Sequence, residues 1–444
     1  MTLRFGTDGV RGIANRELTP ELVVALGRTA ATVLGDGRPF VVARDTRRSG
    51  PMLEAALVAG LCSVGVPVLT GGVLPTPALA HLSGVHDAPG AMISASHNPF
   101  PDNGVKLFAR GGRKLTDAEE AAIEARLGSG PGDDAPVGEG VGEPGPLPDA
   151  GAQYVEHVVG TLGGRRLDGL RVVVDCAHGA AFEVAPRALR LAGARVEVLH
   201  DRPDGTNINA GCGSTDPGPL RRAVREEGAD AGLAFDGDAD RVVAVDERGA
   251  LVDGDQILAV AALDLQRRGL LRGGALAVTV MSNLGLRRAL AEHGVRVVET
   301  PVGDRNVLAA IEAHGLSLGG EQSGHVVFAD LATTGDGLLT GLQLLDVVVR
   351  SGQPLSELAS VVQPLPQILR NVRVADRARL DDAPGFRAAL VEVEAGLGEA
   401  GRVLVRASGT EPVIRVMVEA PTAGEAEAAA ARLVAAVEEA CGEG

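Results

Sequence analysis

Ala231-Gly232-Leu233-Ala234-Phe235-Asp236-Gly237-Asp238-Ala239-Asp240-Arg241-Val242-Val243-Ala244-Val245 is the most informative stretch of the chain. It consists of two apolar runs of strand length separated by a short acidic segment. If that segment is extended, Asp236, Asp238 and Asp240 at i, i+2 and i+4 project to one face. Three converging carboxylates repel one another unless a cation lies among them, and hard oxygen ligands favour Mg²⁺ or Ca²⁺. Small Gly237 and Ala239 leave the intervening positions clear. The competing reading is a solvated acidic turn. An EF-hand loop is disfavoured because its sixth position, which requires glycine, is Arg241, and because residues 242–245 read as a strand rather than a helix. A haloacid-dehalogenase-like phosphatase, with Asp236 as nucleophile, is disfavoured by Asp240, where that family usually has Thr or Val.

Outward from this stretch, strand-length apolar runs alternate with helix-period segments, the signature of α/β layering. Strands are expected at 40–43, 90–93, 170–174, 196–199, 232–235, 276–281 and 295–299, and helices at 52–64, 254–268 and 284–293. After a Pro-rich boundary at 363–366 the order changes. Strands at 369–374, 403–406 and 413–419, with helices at 383–394 and up to residue 440, describe an α+β unit. Four domains follow: 1–150 with a Gly, Pro and acid-rich linker at 128–151, then 151–252, 253–366 and 367–444. The fold class is three related α/β domains plus a smaller C-terminal α+β domain.

The composition excludes several function classes. The 444 residues carry a net charge of −16, against a nucleic-acid binder, and 2% aromatics, against a base- or glycan-stacking platform. Four cysteines without a C-x-x-C pair, no leader pattern and no apolar run of membrane length suggest a soluble, cytoplasmic protein. Lysine occurs only at 106 and 114, each followed by leucine, so no P-loop is present. The G-x-G-x-x-G match at 140–145 lies in the linker, without the strand and helix that motif needs. The histidines at 81, 86, 157, 178, 200, 293 and 314 read as scattered and structural or exposed.

Three further motifs carry chemistry. In Ser94-Ala95-Ser96-His97-Asn98-Pro99, followed by Asp102-Asn103-Gly104-Val105-Lys106, tight turns present Ser96 at a strand end beside an imidazole and near a lysine. That suits a nucleophilic or phosphorylated serine, or else a capping turn. Gly320-Glu321-Gln322-Ser323-Gly324-His325 groups a carboxylate, an amide, a hydroxyl and an imidazole able to read sugar hydroxyls. Arg406-Ala407-Ser408-Gly409-Thr410-Glu411-Pro412, with Arg415, has the donors to clamp a phosphate.

In this order, and with the opening Phe5-Gly6-Thr7-Asp8-Gly9-Val10-Arg11-Gly12, these motifs resemble the α-D-phosphohexomutase superfamily from residue 4 to about 440. Asn207-Ile208-Asn209, Cys212-Gly213-Ser214-Thr215 and Gln322 make the chain most similar to the branch acting on glucosamine phosphates. Relatives acting on glucose or mannose phosphates commonly carry Met at the Gln322 position. Ala239 and Ala407 are minor departures that remove no functional group.

The resemblance implies four domains around a central cleft and an isomerase that interconverts glucosamine 6-phosphate and glucosamine 1-phosphate. Its product leads towards UDP-N-acetylglucosamine and cell-wall synthesis. It implies phosphorylated Ser96, one Mg²⁺ held by Ser96, Asp236, Asp238 and Asp240, and glucosamine 1,6-bisphosphate as intermediate and activator. Glu321 and Ser323 would hold the sugar, while Arg406, Ser408, Gly409, Thr410 and Arg415 would grip the non-reacting phosphate. Arg11, His97, Lys106, Arg241 and His325 would stabilise charge and move protons. The partner would be a small hexosamine phosphate, with no nucleic acid or membrane, and relatives are often homodimers. A phosphoglucomutase/phosphomannomutase specificity is the neighbouring alternative.

Overall fold

The computed structural model describes residues 9–35, 37–127, 135–380, 382–407 and 412–442. Backbone proximity divides the chain into two compact units, Met1–Met281 with Val295–Val361, and Ser282–Gly294 with Val362–Gly444.

The first unit contains three sheets among its described residues. In the first, Phe40–Arg44 lies parallel to both Gly90–Ile93 and Val68–Val73, and Asp102–Ala109 pairs antiparallel with Gly90–Ile93 and with Val10–Ile13. The linker is not all loop, because Pro144–Pro146 adds an edge strand beside Val68–Val73. A Pro-containing strand suits an edge, where a missing N–H breaks no ladder. The second sheet runs Leu251–Val252, Val242–Asp246, Ala231–Phe235, Arg171–Asp175, Arg195–Leu199. Ala231–Phe235 is buried along its whole length, between parallel Arg171–Asp175 and antiparallel Val242–Asp246. In the third sheet Ala275–Thr279 is parallel to Arg296–Thr300 and Leu318–Gly320, and Val326–Phe328 closes the edge.

Helices cover these sheets, and their termini follow their sequences. Gly254–Arg267 starts at a capping box of Asp253 and Gln256, and Gly337–Ser351 starts at Asp336, whose carboxylate accepts from Leu339 N–H. Gly27 and Gly60 let two helices of the first domain touch, since a Cβ on Gly60 would lie 2.3 Å from the Val24 carbonyl oxygen.

The second unit is a three-stranded antiparallel sheet, Gln367–Arg373, Val413–Glu419 and Arg402–Ala407, packed on the helices Pro384–Leu397 and Ala423–Cys441. Helix Leu284–Glu292 joins this unit through Leu284 N–H, which donates to the buried Glu419 carboxylate. All four cysteines are free and buried. No described helix is long and apolar enough to cross a membrane.

Candidate active site

Asp236 directly follows strand Ala231–Phe235, and residues 236–240 form a turn rather than an extended segment. Ala239 N–H donates to the Asp236 carbonyl, and Ala239 sits at φ +55°, a left-handed conformation that reverses the chain. The expected alternation is therefore absent, because the next strand, Val242–Asp246, must pair back antiparallel at once. The three carboxylates converge all the same, with one oxygen of each within 4.8 Å of the others. The turn is held from several directions. Asp238 accepts from Thr76 N–H, Gly237 from Ala180 N–H, and Ala239 from Gly337 N–H, while Gly324 accepts from Val242 N–H.

Ser96 reaches the turn from the first sheet. Its Oγ donates to Asp236 Oδ2 at 2.5 Å and lies 3.3 Å from His97 Nδ1. The residue is 1% exposed and sits at φ +52°, a conformation that costs a non-glycine residue about 1–3 kcal/mol and persists only where surroundings enforce it. Gly237 is one requirement, since a Cβ there would lie 2.6 Å from the Ser96 carbonyl oxygen. Arg47, which sequence reasoning passed over, is another. Wholly buried, it donates to the carbonyls of Ser96, Asn98, Pro99 and Asp102 and pairs with Asp45 at 2.9 Å. Asp45 also accepts from Ser94 Oγ, which in turn accepts from Ser96 N–H.

Lys106 Nζ lies 2.9 Å from Asp238 Oδ2 and 3.2 Å from Asp240 Oδ2. Burial, reinforced by the carboxylates of Asp240 and Asp238, pushes the Asp236 carboxyl well up. At Asp240 burial acts in the same direction, but Lys106, His325 and Arg241 outweigh it and hold the carboxyl well below its usual range. Even with these cations nearby, burial and mutual repulsion leave the Asp236 carboxyl raised. Asp238 Oδ1 and Asp240 Oδ1 are also buried without a hydrogen-bond partner among the described residues. Hard anionic oxygens without donors fit a hard divalent cation such as Mg²⁺.

The remaining cationic residues surround this centre. Burial, with Arg241 and Arg11 adding to it, lowers the His97 imidazole to about 4. Arg241 Nε is 3.8 Å from Asp240 Oδ1. His325, 2% exposed, stands 3.8 Å from Asp240 and 3.9 Å from Asp304, and these carboxylates raise its pKa despite burial. Gly335 makes room for that ring, since a Cβ would lie 2.4 Å from it. Asp304 pairs with Lys114, so both lysines of the chain end in one charge network. Lys114 and Asp304 were missed because 190 residues separate them in sequence.

Beside His325, Glu321 accepts from Gly303 N–H and lies 3.4 Å from Ser323 Oγ, and Ser323 is exposed. The Gln322 amide lies 3.4 Å from Asp253 Oδ2. In the second unit, Arg406 and Arg415 sit directly opposite on paired strands. Burial, and then Arg415, lowers the Arg406 guanidinium. Like charges directly opposed destabilise a sheet by roughly 0.2–1 kcal/mol, a penalty that an anion between them would reverse. Ser408, Gly409 and Thr410 lie outside the described residues, as do Phe5 to Asp8 of the opening motif.

Four of the remaining histidines are paired rather than scattered. His81 stacks on His157 with ring centroids 3.9 Å apart, and His178 meets His200 edge-on at 5.2 Å.

Comparison with known proteins identifies relatives of the whole chain. Four domain descriptions of phosphoglucomutase/phosphomannomutase match. They are alpha/beta/alpha domain I over residues 2–131, domain II over 152–249, domain III over 253–365, and the C-terminal domain over 369–436. A phosphoglucosamine mutase from Acidothermus cellulolyticus is 57% identical over 99% of this chain and 96% of its own. The crystal structure of a phosphoglucomutase/phosphomannomutase family protein from Burkholderia thailandensis is 26% identical with a TM-score of 0.81, covering 98% of this chain and 97% of that one. The fold is shared with N-acetylphosphoglucosamine mutase from Aspergillus fumigatus, solved with GlcNAc-6P and magnesium. That protein is 21% identical with a TM-score of 0.73, over 99% and 96% of the two chains.

Proposed function

The chain belongs to the phosphoglucomutase/phosphomannomutase family, and on that premise we propose that it interconverts glucosamine 6-phosphate and glucosamine 1-phosphate through phosphorylated Ser96. The observation that carries this reading is the 2.5 Å contact between Ser96 Oγ and Asp236 inside a buried cluster of three carboxylates and a lysine. A serine hydroxyl in that position can be esterified only if cations offset the phosphoryl charge of about −1.5 to −2. Lys106, Arg11 and Arg241 supply fixed positive charge, and Asp236, Asp238 and Asp240 would hold Mg²⁺ together with an oxygen on Ser96. When bound, Mg²⁺ neutralises charge developing on the transferring phosphoryl group.

In the forward half-reaction the Oγ–P bond of phosphoserine breaks as a sugar hydroxyl oxygen bonds to phosphorus, and the hydroxyl proton passes to a base. This gives glucosamine 1,6-bisphosphate and free Ser96. After the bisphosphate reorients, Ser96 Oγ loses its proton to a base and bonds to the other phosphorus as the bond from that phosphorus to its sugar oxygen breaks. The sugar oxygen takes up a proton, phosphoserine is regenerated and the isomeric glucosamine phosphate leaves. Glu321 and Ser323 would hold the sugar hydroxyls, and Arg406 and Arg415, with Ser408, Gly409 and Thr410, the distal phosphate. His97, which burial keeps largely neutral at pH 7, and His325 would be the imidazoles that move protons.

The test is kcat/KM for glucosamine 1-phosphate against glucose 1-phosphate and mannose 1-phosphate, with Mg²⁺ and a trace of sugar bisphosphate. A preference of tenfold or more for the amino sugar, about 1.4 kcal/mol in transition-state binding, is expected. Preference for glucose or mannose phosphate would move the chain to a neighbouring specificity within the family.

A further inference from the structure

A second cluster of metal-ligating side chains lies in the second sheet, outside the site described above. Asp175 ends strand Arg171–Asp175, and His200 follows the adjacent parallel strand Arg195–Leu199. Cys212 stands immediately before the short 3₁₀ turn Gly213–Thr215. One donor atom from each of Asp175, His200 and Cys212 lies within 4.8 Å of the other two. We propose that these three residues form a second metal site that takes a zinc-type divalent cation through a carboxylate oxygen, an imidazole nitrogen and a thiolate sulfur.

Three observations carry the assignment. Asp175 is wholly buried, and its Oδ1 already accepts from Ala177 N–H at 2.9 Å. Its Oδ2 lies 3.0 Å from His200 Nδ1, yet neither atom has a hydrogen-bond partner among the described residues. The two atoms face each other at ion-pair distance. For metal–ligand bonds of about 2.0–2.1 Å, neighbouring tetrahedral ligands are about 3.3 Å apart, so their spacing suits two ligands of one cation. The donor set is also selective, because sulfur and imidazole favour zinc-type ions whereas Mg²⁺ takes oxygen. Finally, Asp175 and Cys212 are wholly buried and the facing Oδ2 and Nδ1 atoms are buried as well, so a cation held here would be shielded from solvent.

The competing occupants are protons. Asp175 raises the pKa of His200, and burial pushes the Cys212 thiol up to about 12. Binding would form metal–sulfur and metal–nitrogen bonds and release the thiol proton, and any imidazolium proton, to water. The site would be structural. The segment between His200 and Cys212 carries Asn209, whose amide donates to the carbonyls of Ser96 and Asn98. Gly213 packs so closely that a Cβ would lie 2.5 Å from the Phe235 carbonyl oxygen. A cation here would therefore fasten a loop that braces the serine.

The test uses Co²⁺ as a spectroscopic probe of the full-length protein in excess Mg²⁺. The wild type should take up one equivalent of Co²⁺ with a thiolate-to-cobalt charge-transfer band, and one equivalent of Zn²⁺ should abolish the band. His200→Ala and Cys212→Ser should each lose the band, and Asp236→Asn should keep it. Absence of a thiolate band in the folded wild type would overturn the proposal, as would its persistence in His200→Ala. If Cys212→Ser does not fold, His200→Ala, altered at a partly exposed side chain, decides the question.

Discussion

Arg47 donates to the main-chain carbonyl of Ser96 at 2.8 Å from a position with no exposed surface. With three further carbonyls of the same loop on its guanidinium and Asp45 as counter-ion, it acts as a template on which the serine loop is laid. A lysine offers one ammonium and cannot span that set. Arg47→Lys should therefore lower kcat with little change in KM. Arg47→Met, which leaves Asp45 buried and uncompensated, should lose about 3–5 kcal/mol of stability in denaturant unfolding. Unchanged kcat in folded Arg47→Lys would refute the templating role.

Gly237 lies where the acidic turn packs against the serine loop. The Cβ of Gly237→Ala would meet the Ser96 carbonyl oxygen at 2.6 Å and the Asn209 amide at 2.9 Å. Backbone cannot yield as a side chain does, so Ser96 must shift relative to Asp236. A displacement near 1 Å can lower a rate by about 10²-fold, and that loss in kcat is expected at a stability cost of only about 1–3 kcal/mol. Steady-state kinetics beside thermal melting would separate the two effects.

Removal of divalent cations should silence turnover, and Mg²⁺ should restore it. The Oδ1 atoms of Asp238 and Asp240, buried without a hydrogen-bond partner among the described residues, are the physical reason. Asp238→Asn should raise the Mg²⁺ concentration needed for half-maximal rate. Turnover that is indifferent to a chelator would contradict the reading of this cluster.

The stacked pair His81 and His157 sets a pH dependence of stability remote from the chemistry. Burial, and then His157, lowers His81 from 6.5 to about 4, and burial lowers His157 as well. Between these values the unfolded chain binds protons that the folded chain refuses, so stability falls as pH drops from about 6.5 towards 4. Above that window the pair contributes no slope. Melting temperature followed across the range should fall less steeply in His81→Gln than in wild type.

Much of this was legible in the sequence, for identifiable reasons. Asp236, Asp238 and Asp240 follow a fully buried strand, so composition and position marked both strand and loop. Ser96 was marked by the Asn-Pro and Asn-Gly turns around it. What remained hidden depends on tertiary placement. A buried arginine is rare, and Arg47 is 49 residues from the serine it positions. Asp304 and Lys114 meet across 190 residues, and the histidine pairs join separate elements. The acidic segment proved to be a turn because hairpin pairing overrode the alternation that its spacing suggested.

The central claim is that Ser96 carries the phosphoryl group in transit. It is tested most directly by incubating the enzyme with radiolabelled glucosamine 1,6-bisphosphate, mapping the labelled peptide, and chasing with unlabelled glucosamine 1-phosphate. The account predicts acid-stable label on Ser96 that the chase removes at a rate no slower than turnover, and neither label nor turnover in Ser96→Ala. Hydroxylamine-sensitive label on Asp236, or near-normal turnover in Ser96→Ala, would contradict it.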